Sequence, residues 1–313
     1  MDRLIGIDIG GSHVTVGIVS LSGQVLSART EPLPPQAPVG VVVDVIRRLA
    51  QVLDPGGEIA VAGVGVASTV DLAGRVRFAP NLGWRDAPLG DMLSEALPAR
   101  VFVYNDADAA CFAEARVGAA SGARHAVMLT LGTGIGGGIV VDGKLYRGAG
   151  GFAAEIGHMK IVAGGPLCGC GGRGCLEALA AGPAIRARAE HLLAAHPDLA
   201  AQSPLRSDRS ITVKAIFDAA RAGDVLAGMV VEETATYLGL GVANIINILD
   251  PQVIVLGGSI ARAGDVLLNP VRAFAAGSTM GGPRPYVRIV TAALGPEAGF
   301  VGAALLAGAE PAR

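Results

Sequence analysis

Two similar segments constrain the fold of this chain more than any other feature. IGIDIGGSHVTVGIV spans 5–19, and VMLTLGTGIGGGIVV spans 127–141. Each begins as an apolar strand with a polar residue late in it (Asp8 or Thr130), then passes through a glycine-rich turn into a second strand. Apolar runs joined by short glycine turns predict hairpins. The similarity is a weak internal repeat and predicts two lobes built on the same plan.

The rest of the chain alternates strands with helices, which predicts an α/β fold. Further strands are expected at 25–31, 59–67, 101–105, 144–148, 253–258 and 286–291. Helices are expected at 39–53, 88–97, 107–117, 183–195, 212–221, 224–249, 264–276 and 297–308. Asp106 or Asp108 is expected to cap the helix at 107–117. A loop-rich insertion is expected at 149–176.

Composition excludes several classes of protein. Hydrophobic residues make up 51% of the chain but aromatic residues only 4%, so the core must be aliphatic. A net charge of -2 lacks the basic face that binds nucleic-acid phosphates. No basic leader is present, and glycines or Asp250-Pro251 interrupt the most apolar stretches, 125–141 and 234–257. We therefore expect a cytoplasmic protein that binds neither nucleic acid nor membrane.

The two glycine turns, DIGGS (8–12) and GTGIGG (132–137), are candidate phosphate-binding loops. Glycine lets backbone N–H groups approach an anion closely, although ordinary hairpin turns have the same composition. A dinucleotide fold needs a helix after its glycines, but GGIVVDGKLYRG (137–148) predicts a strand. No G-x-x-x-x-G-K-[ST] loop is present either. Two glycine hairpins, one in each lobe, instead predict a nucleotide bound between the lobes.

Three cysteines fall within eight residues and suggest a metal site. His158, Cys168, Cys170 and Cys175 form a Cys₃His set in a glycine-rich segment, which suits structural zinc. The alternative is three buried thiols and an unrelated histidine. Cys111 stands alone on an alanine-rich helix, where core packing is its better interpretation.

Four carboxylates are candidates for chemistry. Asp106 follows a buried strand, a usual place for a catalytic acid in α/β folds, but an N-cap is also common there. Glu155 and Glu177 flank the cysteine segment, and a bound metal would hold their loop in place. Asp8 is either a ligand of a divalent cation between phosphates or a turn residue.

The motifs together resemble the ROK family of bacterial sugar kinases and repressors, and within it the glucokinases. The resemblance runs from Ile5 to Leu306, and its most specific segment is GGFAAEIGHMKIVAGGPLCGCGGRGCLE (150–177). DIGGSHVTVGIV (8–19) and LGTGIGGGIV (131–140) are similar to the family's two phosphate segments. YNDADAACFAE (104–114) resembles the segment with the catalytic aspartate, and VIVLGGSI (253–260) the turn near the adenosine.

The resemblance implies an actin-like, ribonuclease-H-like fold of two lobes with the sugar in the cleft. It implies that Asp106 is the catalytic base for an ATP-dependent hexose kinase with Mg²⁺ at Asp8. Sugar-binding roles are implied for Ser68, Asn81, Asn105, Asp106, Glu155, His158 and Glu177. Roles at ATP and its phosphates are implied for Asp8, Gly10, Gly11, Ser12, Thr133, Gly134, Gly257 and Gly258. The zinc ligands would be His158, Cys168, Cys170 and Cys175.

Glucose is the expected substrate, phosphorylated at its 6-hydroxyl, but one departure favours another sugar. GVASTVD (65–71) carries Ser68-Thr69 where glucokinases usually have Pro-Gly, which is similar to some N-acetylmannosamine kinases. RFAPNLGW (77–84) and Glu155 instead resemble glucokinases. A sugar sensor without catalysis is a third hypothesis, whereas a ROK repressor would need a DNA-binding domain before the first strand. The donor, ATP or polyphosphate, stays open.

The order of the predicted elements also assigns residue ranges to the two expected lobes. Residues 1–107 with the C-terminal helix 297–313 are expected to form a small lobe. Residues 108–296 are expected to form a large lobe that contains the zinc loop, 149–177. The family resemblance also implies a homodimer or a homotetramer.

Overall fold

The computed structural model describes residues 3–207 and 211–311, which form two compact units. The first unit contains residues 1–128, 138–154 and 293–313. The second contains residues 129–137 and 155–292. Helix 106–117 and residues 138–154 thus belong with the N-terminal segment. The lobe boundaries expected from the sequence remain a prediction.

The strands and helices alternate through most of the chain. The strands are β1 (Arg3–Ile9), β2 (His13–Ser20), β3 (Val25–Pro32), β4 (Val61–Val66), β5 (Thr69–Val70), β6 (Val76–Ala79), β7 (Trp84–Ala87), β8 (Arg100–Asn105), β9 (Ala126–Leu131), β10 (Ile135–Val141), β11 (Lys144–Leu145), β12 (Val253–Gly257) and β13 (Arg288–Thr291). The helices are α1 (Val39–Leu53), α2 (Leu89–Ala96), α3 (Asp106–Val117), α4 (Leu176–Ala180), α5 (Gly182–Ala195), α6 (Pro197–Ala200), α7 (Val213–Arg221), α8 (Val225–Leu249), α9 (Gly258–Ala261), α10 (Asp265–Ser278) and α11 (Ala298–Ala309). Short 3₁₀ turns cover Ile156–His158, Pro204–Ser207 and Gly295–Glu297.

The internal repeat is visible in the strand order of the two large sheets. The first sheet has the order β3-β2-β1-β4-β8, and the second has β11-β10-β9-β12-β13. In each sheet a hairpin strand lies beside a strand that comes later in the chain. β1 pairs with β2 antiparallel and with β4 parallel, and β12 pairs with β13 parallel. The α/β class predicted from the sequence is confirmed.

A third sheet, β5-β6-β7, was not predicted. Its strands have two to four residues, and the two longer ones expose their middle positions. The segment follows β4 and contains Ser68 and Asn81 on its connections. Its pattern is too short to be separated from a loop by periodicity.

Helix α11 packs at backbone distance against the first sheet and α3. A Cβ at Gly63 would lie 1.8 Å from the carbonyl oxygen of Ala303, and one at Gly6 would lie 2.1 Å from that of Phe300. On the other side of α11, a Cβ at Gly302 would lie 1.8 Å from the oxygen of Ala109. Glycine is required at these positions because any side chain would separate the elements. The packing fixes α3 against β1 and β4.

Helix α8 is long and apolar enough to cross a membrane, the one such helix among the residues that the structure describes. It contacts α4, α5, α7 and α10, and more than half of its most apolar 18-residue stretch is buried. The same length and composition suit the core helix of a globular unit, which is the role that these contacts give it.

Candidate active site

The first glycine turn joins β1 to β2 and lies against a residue from the third sheet. The N–H of Gly10 donates to the carbonyl oxygen of His13 at 3.0 Å and closes the turn. A Cβ at Gly11 would lie 3.3 Å from the Cβ of Asn81. Ser12 Oγ lies 3.2 Å from His13 Nδ1. The structure thus brings Asn81, a predicted sugar-binding residue, beside the predicted phosphate residues Gly10, Gly11 and Ser12.

Asp8 and Asp106 form a pair of desolvated acids in the first unit. Burial, and secondarily the charge of Asp106, raises the pKa of Asp8 from 3.8 to about 7. Burial also raises the pKa of Asp106. A Cβ at Gly299, in the first turn of α11, would lie 3.0 Å from the Asp8 carboxylate. The glycine therefore leaves room around Asp8, and the two acids are the kind of perturbed pair that occurs at functional sites.

Asn105, not Asp106 or Asp108, caps helix α3. Its Oδ1 accepts the N–H groups of Ala107 at 2.8 Å and of Asp108 at 3.0 Å. Its Nδ2 donates to the carbonyl oxygen of Ser68 at 2.9 Å. The sequence prediction of an aspartate cap is wrong because Asn105, at the end of β8, already has the extended conformation of a cap. Asp106 is left as the first helical residue, where its Oδ1 accepts the N–H of its neighbour Ala107 at 2.9 Å.

Ser68 lies next to the Asn105 amide and is itself buried, with 8% of its surface exposed. Within residues 3–207 and 211–311, its hydroxyl has no hydrogen-bond partner. A buried hydroxyl without a partner is costly, typically about 1–3 kcal/mol. Such a group is a candidate for contact with a polar ligand.

The second glycine turn, between β9 and β10, is held by backbone contacts within the second unit. The N–H of Gly132 donates to the oxygen of Gly134, and the N–H of Gly182 donates to the oxygen of Gly132, both at 2.9 Å. Gly258 has a φ of +84° and a Cβ there would lie 2.3 Å from the oxygen of Leu131. The structure thus brings the Gly257-Gly258 turn against the strand that leads into this loop. Thr133 is exposed at the tip.

The four predicted zinc ligands come together in the second unit. Their ligand atoms all lie within 4.8 Å of one another. His158 Nδ1 is 3.7 Å from Cys168 Sγ, and the Sγ atoms of Cys170 and Cys175 are 3.6 Å apart. Ligands of a tetrahedral zinc lie about 3.6–3.8 Å apart when Zn–S is near 2.3 Å. The donor set and its spacing therefore fit zinc.

Lys160 belongs to the same cluster, although the sequence did not single it out. Its Nζ lies 2.9 Å from Cys175 Sγ and donates to the carbonyl oxygen of His158 at 3.1 Å. The lysine cation would offset part of the negative charge that three thiolates bring to a metal ion. A lysine two residues after the histidine ligand was the only available signal.

The two glutamates of the cysteine segment lie in different surroundings. Glu155 Oε2 is 3.9 Å from His158 Nε2, at the start of the 3₁₀ turn. Glu177 lies in α4, and its Oε2 accepts the N–H of Ile135 at 2.9 Å. Its Oε1 is 3.4 Å from Cys168 Sγ.

The sequence did not single out buried Glu114 or partly buried Arg147. Glu114, fully buried near the end of α3, accepts the N–H groups of Ala119, Ala293 and Leu294 at 2.7–2.9 Å. Arg147 stacks over the ring of Tyr104 at 5.2 Å. Its Nη2 also reaches the carbonyl oxygens of Val70, Asp71 and Val103 at 3.3–3.5 Å. Arg147 thus ties together the segments that follow Ser68 and precede Asn105.

Comparison with known proteins identifies the family of this chain. A sequence model of the ROK family matches residues 4–310. The chain belongs to the ROK family. A ROK relative, the glucokinase of Streptomyces coelicolor, is 38% identical, and the match covers 98% of each chain. The glucokinase of Thermotoga maritima is 39% identical, and the match covers 96% of each chain.

The fold agrees with that of solved ROK proteins. A ROK glucokinase from Streptomyces griseus, solved with glucose and AMPPNP, superposes with a TM-score of 0.83. It is 38% identical, and the match covers 98% of this chain and 100% of that one. The actin-like sugar-kinase fold expected from the resemblance is therefore confirmed for this ROK protein.

Proposed function

We propose that this protein is an ATP-dependent glucokinase that transfers a phosphoryl group to the 6-hydroxyl of glucose. The observation that carries the proposal is 38–39% identity to glucokinases over nearly the whole chain. The desolvated acid pair Asp8 and Asp106 supports it, because phosphoryl transfer to an alcohol needs a base and a cation ligand.

Asp106 is the proposed base. It stands at the N-terminus of α3, with the helix fixed by the Asn105 cap and by α11. Its raised pKa brings it nearer to that of a proton acceptor at neutral pH. Asp106 Oδ2 would accept the proton of the attacking hydroxyl, since Oδ1 already accepts the N–H of Ala107.

The sugar would be oriented by hydroxyl, amide, imidazole and carboxylate groups. The proposed set is Ser68, Asn81, Asn105, Asp106, Glu155, His158 and Glu177. Two features support this assignment for the first unit: the Ser68 hydroxyl, which lacks a partner in the described part of the chain, and the Asn105 amide beside it. Carboxylates suit a sugar because each can accept bonds from two hydroxyls.

The phosphates would lie along the glycine turns. The proposed contacts are Gly10, Gly11, Ser12, Thr133 and Gly134, with Gly257 and Gly258 near the adenosine. Backbone N–H groups in such turns bind anions without a side chain. Mg²⁺ that arrives with ATP would neutralise phosphate charge, with Asp8 as its protein ligand.

Zinc would be held by His158, Cys168, Cys170 and Cys175, where it would supply a rigid cross-link and no chemistry of its own. The loop that carries Glu155 and Glu177 would then be fixed in place. Metal analysis of the purified protein should give one zinc per chain. A protein with no stoichiometric zinc would refute this assignment.

The decisive experiment measures kcat/KM at fixed ATP for glucose, mannose, N-acetylglucosamine and N-acetylmannosamine. Glucose should be preferred, and the product should carry phosphate at position 6. No turnover with any hexose would favour a sugar sensor instead. Replacing ATP with polyphosphate in the same assay tests the donor.

N-acetylmannosamine is the second candidate substrate. The observation that favours it is the buried hydroxyl of Ser68, which has no hydrogen-bond partner among the described residues and could bond an N-acetyl group. A higher kcat/KM for N-acetylmannosamine than for glucose would establish it. We also propose a cytoplasmic enzyme that acts as a homodimer or homotetramer, a state that analytical ultracentrifugation would determine.

A further inference from the structure

One carboxylate touches both the zinc ligands and the second glycine turn. Glu177 follows Cys175 by two residues and begins α4. Its Oε2 accepts the N–H of Ile135, which follows Gly134, and its Oε1 lies beside Cys168 Sγ. The same side chain therefore connects a proposed phosphate loop to a proposed metal ligand.

The Glu177 carboxylate occupies the space that a side chain at Gly134 would need. A Cβ at Gly134 would lie 2.6 Å from Glu177 Oε2. The backbone of Gly134 is outside the left-handed region, so an alanine could adopt its conformation. The glycine is thus explained by the close approach of Glu177 and not by the turn itself.

Contacts with neighbouring segments fix the position of helix α4, which carries Glu177. The N–H of Leu176 donates to the oxygen of Met159 at 2.9 Å, and Arg188 Nη2 donates to the oxygen of Leu179 at 2.8 Å. The side chain of Leu176 packs against Gly241 of α8, where a Cβ would lie 2.9 Å from Leu176 Cδ2. Arg188 thus holds the end of α4, whereas its entry is held through Met159 and Cys175, and Met159 directly follows His158. The position of the Glu177 carboxylate therefore depends on the cysteine segment that leads into the helix.

We propose that Glu177 is a positioning residue through which zinc in the cysteine cluster strengthens nucleotide binding. Zinc that holds Cys168 and Cys175 fixes the entry to α4, and Glu177 then holds the Ile135 N–H and the shape of the Gly134 turn. This inference rests on the proposed function, but it adds a nucleotide-side effect that a purely sugar-binding role of Glu177 does not have.

The coupling is tested first in the wild-type protein. Because coupling between two binding sites is reciprocal, Mg²⁺ with AMPPNP should tighten zinc binding by the factor by which zinc tightens AMPPNP binding. Competition with a chromophoric chelator gives the zinc Kd with and without nucleotide. We expect a ratio of about 5 or more, the lower end of typical coupling. Equal zinc affinities would overturn the proposal.

Variants then locate the coupling at Glu177. In Glu177→Ala the nucleotide effect on zinc affinity should vanish, and AMPPNP should bind about 5- to 10-fold more weakly without any sugar present. Glu177→Gln keeps an oxygen for Ile135 and should stay within about 3-fold of wild type. The exposed Glu190 of α5 provides the matched control, Glu190→Ala. Unchanged AMPPNP binding in Glu177→Ala, with lost glucose binding, would leave Glu177 a sugar ligand only.

A third variant separates zinc from Glu177 itself. Cys170 is exposed and reaches the cluster from the side of Cys175. Cys170→Ala should lose zinc and weaken AMPPNP binding, but add little to the loss already present in Glu177→Ala. Additive losses would overturn the proposal. A wild type that shows the coupling yet phosphorylates no hexose would refute only the proposed function.

Discussion

The two ends of helix α3 carry acids in opposite situations. At the C-terminal end, Glu114 is fully buried and accepts three backbone N–H groups. At the N-terminal end, Asp106 accepts N–H groups of the first helical turn alone, that of Ala107 and its own, and burial raises its pKa. A carboxylate with its bonds satisfied is structural, whereas a desolvated one with bonds to spare is available to a substrate.

Because their surroundings differ, Asp106 and Glu114 should have different effects when their charges are removed. Removing Asp106 should affect the reaction, and removing Glu114 should affect the folded state. One helix therefore joins an acid with a proposed chemical role to an acid that anchors the chain where residues 293–294 return to the first unit.

The largest effect is expected from Asp106→Asn. The amide keeps the shape and one acceptor but cannot take a proton, so kcat should fall by about 10²–10⁴-fold while glucose still binds. Steady-state kinetics and glucose titration measure the two quantities. Asp91→Asn is the matched control, since Asp91 is an exposed acid in the first turn of α2. Near-normal turnover would make Asp106 a structural acid like Glu114.

Asp8 extends the comparison because its pKa depends on Asp106. Between pH 3.8 and about 7 the folded protein holds a proton that the unfolded chain has lost. The free energy of unfolding should therefore decrease as pH rises through this window, by a total on the order of 4 kcal/mol. Asp8→Asn should make this decrease smaller, leaving the part that the raised pKa of Asp106 contributes. Urea unfolding at pH 5, 6, 7 and 8 tests it, and parallel curves for variant and wild type would contradict it.

Glu114→Gln should lower stability and spare the chemistry. One amide NH₂ would face a backbone donor, at Ala119 or at Ala293 and Leu294, and leave it unsatisfied. We expect a loss of about 1–3 kcal/mol in the free energy of unfolding. Urea unfolding gives this value, with exposed Glu95→Gln as the control. A large fall in kcat of the folded variant would show that the two ends of α3 are not separable.

The smallest effect is expected at the cap of α3. Asn105→Ala removes the acceptor for Ala107 and Asp108 and should cost about 1 kcal/mol of stability. Asn105→Asp retains the acceptor and should be closer to wild type in unfolding experiments. Both variants lose the donor to Ser68, so a similar rise in the glucose KM would indicate that this contact shapes the sugar site.

Local patterns predicted the longer helices and the strands of the two large sheets, but not the short strands β5, β6 and β7 or the residues whose partners are distant. The apolar spacing of 39–53 predicts α1 with the observed bounds, and the zinc ligands lie close together in the chain. Glu114 could not be interpreted, because its partners Ala293 and Leu294 lie almost 180 residues away and contribute only backbone. Arg147 was missed for the same reason, since its acceptors are carbonyls of three separate positions.

The glycine contacts of α11 also determine when the first unit can finish folding during translation. Strands β1 and β4 are synthesised more than 230 residues before the helix that fits against Gly6 and Gly63. During translation the nascent first sheet must therefore wait with an apolar face uncovered until residues 298–309 emerge. Exposed apolar sheet faces are targets for aggregation and for chaperones. Premature termination shortly before α11 would release a chain of nearly full length that cannot finish folding its first unit.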